Sequence, residues 1–206
     1  MGSFAGAVLT GGSSRRMGRD KALLPVRGQP LALTVADALR RAGAEPVLCV
    51  GGDEAALVAL GLRTIPDLHP GEGPVGGLIT ALSAVESEVV VVLAVDLPGA
   101  DPDAVCGVVS ALHRTSSPDQ AADPADLAVP LVDGRRQWLH AAWRSDTALP
   151  VLRAAFDQGE RAVHRAVAGL RVVDVVGVDP AVVADVDRPA DLPPMATAPA
   201  TGPERH

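Results

Sequence analysis

The strongest constraint on the fold is the run Val89–Val95, VVVVLAV, which is apolar throughout and mostly β-branched. A half-buried strand alternates apolar with polar residues, whereas a strand covered on both faces reads as a continuous apolar run. The run is far too short to span a membrane. It therefore predicts a strand at the centre of a parallel sheet with helices on both sides. It follows Glu88 and ends at Asp96-Leu97-Pro98, where a turn must begin.

The rest of the chain supplies matching units. Phe4–Thr10 reads as a buried strand running into Gly11-Gly12. Leu31–Ala42 has helical spacing and stops at Gly43. Pro46–Val50 is a second strand, Asp53 caps a helix to about Leu60, and Leu62–Ile65 is a third strand. Gly71–Gly77 (GEGPVGG) predicts a turn before a helix over Leu78–Val85, and Asp101 or Asp103 caps the helix that runs to about His113. Thr115–Asp126 is polar and contains proline, as mobile loops do. Strands follow at Leu127–Val132 and Trp138–Trp143, around the turn signal Asp133-Gly134. Helices are expected over Asp146–Asp157 and Glu160–Ala168, and strands over Leu170–Val176 and Val183–Asp187. Alternating strands and helices define an α/β class with a mostly parallel sheet. The 206 residues suit one domain over 1–192, and the low-complexity end, 193–206, is expected to be disordered.

Composition narrows the function. Aromatic residues are 2% of the chain and the net charge is −7, which argues against base-stacking and phosphate-backbone binding and hence against a nucleic-acid partner. Cys49 and Cys106 lie in apolar runs without CxxC spacing, as free thiols do in a reducing cytoplasm. No signal-peptide pattern opens the chain and no membrane association is expected. Among 18 basic residues Lys21 is the only lysine. Lysine and arginine differ most where a compact point charge must meet a phosphate.

Ligands of such sheets sit beyond the carboxyl ends of the strands, and those ends carry Gly11-Gly12, Gly51-Gly52-Asp53, Asp67 and Asp96. Lys21 closes the segment LTGGSSRRMGRDK, Leu9–Lys21. The segment is neither a Walker A loop nor a G-x-G-x-x-G fingerprint. It has what a triphosphate needs, with glycines that let backbone N–H groups approach anionic oxygens and Arg15, Arg16 and Lys21 to offset charge. A solvated basic surface loop is the plainer reading of these residues taken alone. His140 follows Gln137 in a strand that could face a substrate, while His69, His113, His164 and His206 show no zinc spacing.

The segment LTGGSSRRMGRDKALLPVRGQPL resembles the LAGG-x-S-x-RMG-x-DK-x-L signature of the molybdenum cofactor guanylyltransferase family. Ile65-Pro66-Asp67 with GPVGG at 73–77, Val95-Asp96-Leu97-Pro98, Asp133–Gln137 and Asp185–Leu192 resemble further motifs of that family, in the same order. The resemblance implies a three-layer, Rossmann-like nucleotidyltransferase fold with a small antiparallel excursion. It implies that Leu9, Thr10, Gly11 and Gly12 line a nucleotide, that Lys21 contacts its phosphates, and that Asp67 sits beside base and ribose. It also implies that Asp96 and Asp185 or Asp187 bind Mg²⁺, with Gly76, Gly77, Gln137 and His140 toward the acceptor. The expected reaction is transfer of GMP from GTP to the phosphate of a molybdopterin-type acceptor. Molybdenum-insertion proteins or molybdoenzyme chaperones would be further partners. A cytidylyltransferase on the same pterin, a sugar-phosphate nucleotidyltransferase and a non-catalytic nucleotide-binding adaptor are the competing readings. Thr10, Val50 and Trp138 depart from the family pattern, where Ala, a polar residue and Pro are usual.

Overall fold

A computed structural model of the chain describes residues 2–11, 20–115 and 124–186. The apolar run forms β6 (Val89–Ala94), whose first five residues are buried. On one side it pairs in parallel with β1 (Ala5–Leu9), and β1 pairs in parallel with β4 (Val47–Val50), which pairs with β5 (Thr64–Ile65). On its other side lies β9 (His140–Arg144), antiparallel to β6 and to β7 (Leu127–Val132), and β10 (Val172–Val175) completes the edge in parallel with β7. The order is β10-β7-β9-β6-β1-β4-β5, so the sheet is parallel apart from β9 and β8 (Arg135–Arg136), which hairpins onto β7.

Side chains alternate across the strands and build two cores. On one face Val91 and Leu93 of β6 pack with Leu31, Val35 and Leu39 of α1 (Leu31–Arg41), Leu57 of α2 (Glu54–Ala59) and Val105, Val108 and Leu112 of α4 (Pro102–Arg114). On the other, Val90 and Val92 pack with Leu78 and Leu82 of α3 (Pro74–Ser83), Leu152 and Phe156 of α5 (Ser145–Asp157) and Val163 of α6 (Val163–Ala166). These are the three expected layers. The caps also follow from the sequence, since Asp53 accepts from the Ala56 N–H at 3.0 Å and Asp101 from the Asp103 N–H at 3.2 Å.

The structure differs from the sequence reading in several places. The segment up to Pro25, expected as loop, holds a 3₁₀ turn (Lys21–Leu23) and a small hairpin of β2 (Pro25–Val26) and β3 (Gln29–Pro30). Arg27 and Gly28 turn that hairpin with φ of 50° and 89°, the left-handed pair that a two-residue hairpin demands. The helix expected from Leu78 begins at Pro74, because Gly73 at φ 86° makes the turn and proline is pre-shaped for a first helical turn. Val183–Asp187 is not a strand among the described residues. Instead α7 (Pro180–Val183) is capped by Asp179, and an irregular segment follows it. The expected strand Trp138–Trp143 begins only at His140, after the short strand β8.

Candidate active site

The strand ends β1, β4, β5 and β6 converge at one edge of the sheet. The Thr10 and Gly11 N–H groups both donate to the Val50 carbonyl, at 3.1 and 2.9 Å. Thr10 is 5% exposed, and its hydroxyl satisfies itself on the carbonyls of Val50 (3.0 Å) and Gly51 (2.8 Å). A Cβ at Gly51 (φ 71°) would lie 3.1 Å from the Gly11 Cα and 3.4 Å from the Asp67 Cβ, so only glycine lets these turns meet. Val50 keeps its side chain in the core and presents its carbonyl. Its departure from a polar residue therefore leaves the main-chain edge intact.

The segment entering Lys21 is tied down by Asp20. One oxygen of Asp20 accepts from the Ala22 N–H at 3.0 Å, and the other from the Asp53 N–H at 3.3 Å, at the start of α2. Lys21 then reaches the end of β6, where its Nζ lies 3.4 Å from Asp96 Oδ2, with the two side chains 14% and 25% exposed. The Val186 N–H donates to the Asp96 carbonyl at 3.0 Å. The exposed Asp185 is thus next in chain to a residue bonded to Asp96. Close packing holds this arrangement, because a Cβ at Gly99 would lie 2.1 Å from the Ala181 carbonyl oxygen of α7. Asp67, after β5, accepts from the His69 N–H and the Thr80 hydroxyl, both at 3.0 Å.

The structure thus brings Leu9, Thr10, Gly11, Lys21, Asp67 and Asp96 to the strand-end edge. Gly12, Arg15, Arg16 and Asp187 lie outside the described residues. Gly76 and Gly77 are buried within α3 rather than in an open turn. A Cβ at Gly76 would come 2.7 Å from the His69 Cβ, and one at Gly77 would touch Leu9 at 3.4 Å, so both serve helix packing. The Gln137 N–H donates to the Pro130 carbonyl at 2.9 Å, and Gln137 is partly exposed. Trp138 lies under the Arg136 guanidinium at 5.6 Å and lines a surface cavity of about 540 Å³ with Arg135, His164 and Asp174.

His140 does not face a substrate. It is 1% exposed, and its register partner is Leu93. Neither ring nitrogen has a hydrogen-bond partner, and burial pushes its pKa from 6.5 down to about 4, with the Asp101 carboxylate opposing weakly. Sequence spacing could place it in a strand but could not tell which layer covers that face. Asp20 and Thr80 were given no role by the sequence. Asp20 lies inside the motif beside Lys21, and the one polar residue of α3 ahead of its last residue, Ser83, was the available signal for Thr80.

Among the described residues no three His, Cys, Asp or Glu side chains form a ready metal cluster, and no helix is long and apolar enough to cross a membrane. The parallel order reverses at β1, with β4 and β5 on one side and β6 on the other. Open α/β sheets take ligands outside the strand ends at such a switch point, which sets this chain among the open α/β proteins with a ligand edge at the strand ends. It belongs to the MobA-like NTP transferase domain family, whose model matches residues 6–186. The probable molybdenum cofactor guanylyltransferase of Chloroflexus aggregans is 35% identical over 173 residues, covering 83% of this chain and 79% of that one. The protein so described from Opitutus terrae is 46% identical over 99 residues, so the match spans about half of each chain. The crystal structure of molybdopterin-guanine dinucleotide biosynthesis protein A from Archaeoglobus fulgidus has a TM-score of 0.63 at 27% identity, covering 84% of this chain and 83% of that one. A 2-C-methyl-D-erythritol 4-phosphate cytidylyltransferase from Thermus thermophilus, at 19% identity and a TM-score of 0.65 over 90% of this chain and 94% of that one, shares the fold.

Proposed function

We propose that this chain transfers GMP from GTP to the terminal phosphate of a molybdopterin-type acceptor, with Mg²⁺ as cofactor. The relatives named probable molybdenum cofactor guanylyltransferase support the choice of reaction. The observation that carries it is the Lys21–Asp96 pair, 3.4 Å apart at the glycine-lined strand ends. An acceptor phosphate oxygen attacks the α-phosphorus of GTP, the bond to the bridging oxygen breaks, and pyrophosphate leaves with that electron pair.

The backbone at Leu9–Gly12 lines the nucleotide, and Asp67 faces the nucleoside. Lys21, with Arg15 and Arg16, offsets charge that grows on the leaving pyrophosphate. Gln137 stands on the acceptor side. Asp96 suits a magnesium ion, which needs few protein carboxylates when substrate phosphates supply the other oxygens. Asp185 or Asp187 would be its neighbour. Bound there, the ion would draw negative charge from the phosphate oxygens. The free Cys49 and Cys106 fit a cytoplasmic location.

The experiment is pyrophosphate release from GTP with Mg²⁺ and molybdopterin, repeated with CTP as competitor. Release that needs GTP and acceptor, and that falls at least a hundredfold in Asp96→Asn and Lys21→Ala, is expected. Full activity in both variants would overturn the assigned roles. A clear preference for CTP would overturn the choice of nucleotide. Tight GTP binding without product under any acceptor would leave a nucleotide-binding adaptor.

A further inference from the structure

Thr80 of α3 is 2% exposed, yet its hydroxyl meets three partners. It accepts from the Leu68 N–H at 3.1 Å, and lies 3.0 Å from Asp67 Oδ1 and 3.0 Å from the Gly76 carbonyl. A hydroxyl has one proton to give. A helical threonine ordinarily gives it to the carbonyl four residues back. Here a carboxylate competes, and the charge-assisted bond is the stronger one. The His69 N–H donates to the same Oδ1 at 3.0 Å. Two donors therefore hold Oδ1 from the protein side.

The other oxygen, Oδ2, is turned toward the β1 end, where a Cβ on Gly11 would lie 3.8 Å from it. The turn after β5 also abuts the helix, since His69 meets Gly76 one turn before Thr80. A flexible strand-end carboxylate is thereby referenced to a helix packed on the sheet.

We propose that Thr80 is a positioning residue that fixes the Asp67 carboxylate so that Oδ2 alone receives an N–H or O–H donor of the bound nucleoside. This deepens the nucleotidyl-transfer reading and rests on it. Thr80 does not touch the reacting atoms, so its loss affects nucleotide affinity and leaves the chemical step alone.

The test is calorimetric binding of GTP with Mg²⁺, without acceptor, to the wild-type chain and to Thr80→Val, Thr80→Ala and Thr80→Ser, each checked for folding by circular dichroism. Valine preserves shape and removes the hydroxyl, and alanine serves if valine does not fold. Binding is expected to weaken about tenfold in Thr80→Val or Thr80→Ala, and to recover in Thr80→Ser. In turnover the KM for GTP rises by the same factor, while kcat and the KM for acceptor hold. In an Asp67→Ala background the Thr80 change has no further effect on binding, because the two residues act as one unit. Wild-type affinity in Thr80→Val, or a loss that persists without Asp67, overturns the proposal and leaves the nucleotidyl-transfer reading standing. A folded wild-type chain that binds no GTP overturns that reading and the proposal with it.

Discussion

His140 offers the sharpest test of the core. It is 1% exposed in β9, and neither ring nitrogen has a partner. Burial lowers its pKa from 6.5 to about 4, so the folded chain keeps the ring neutral where an unfolded chain would begin to protonate it. The folded-state pKa lies below the unfolded one. The contribution to stability is therefore complete above pH 6.5 and lost as pH falls from there toward 4. At 1.36 kcal/mol per unit, the whole loss is roughly 3 kcal/mol, of which about 2 kcal/mol has gone by pH 5. His140→Leu replaces the ring by the residue type already opposite it, Leu93, and removes both unpartnered nitrogens, whose burial costs about 1–3 kcal/mol. Urea unfolding at pH 7.5 and pH 5 measures both effects. The variant should be more stable than wild type at pH 7.5, and its advantage should widen by about 2 kcal/mol at pH 5. An advantage that is the same at both pH values, or a variant less stable than wild type at pH 5, would refute the buried, neutral imidazole.

Two further outcomes probe the site. Lys21→Arg keeps the charge but puts a forked guanidinium where a compact ammonium sits 3.4 Å from Asp96. Steady-state turnover should fall about tenfold or more, and near-wild-type rates would show that any cation suffices. Gly99→Ala forces a Cβ to 2.1 Å from the Ala181 carbonyl oxygen. α7 must then shift, and with it the Val186 contact to Asp96. Thermal unfolding should report a loss of about 1–3 kcal/mol, together with reduced activity, and an unchanged Tm would show that the close approach is relieved elsewhere.

Periodicity read well where one interaction dominates. Val89–Val95 reads as a strand covered on both faces, Asp53 as one helix cap, and Asp101 or Asp103 as another, of which Asp101 is the cap. It read poorly where the decision lies in another part of the chain. Gly76 and Gly77 look like turn residues in isolation, but α3 starts at Pro74 and runs through them, and they are glycine because His69 and Leu9 occupy the space that side chains would need. Val183–Asp187 has strand-like alternation, yet Asp179 and Pro180 start a helical turn that fits against Gly99. The strand-end rule found Gly11, Asp67 and Asp96, and the family resemblance added Thr10. It missed Thr80, because a helix residue enters the site only through the loop that folds back onto it.

The α/β layering, the strand ends that carry glycine and aspartate, and the lone lysine in a basic glycine segment follow from the order of residues alone. Those features are local, set by side-chain period, backbone freedom and charge within a few residues. That Lys21 meets Asp96 across 75 positions of chain, that the Thr80 hydroxyl bonds Asp67, and that His140 is buried opposite Leu93 follows from packing. Each of these depends on which strands are neighbours and which face a helix covers. Burial and pairing of that kind are properties of the packed sheet, and no stretch of the chain encodes them alone.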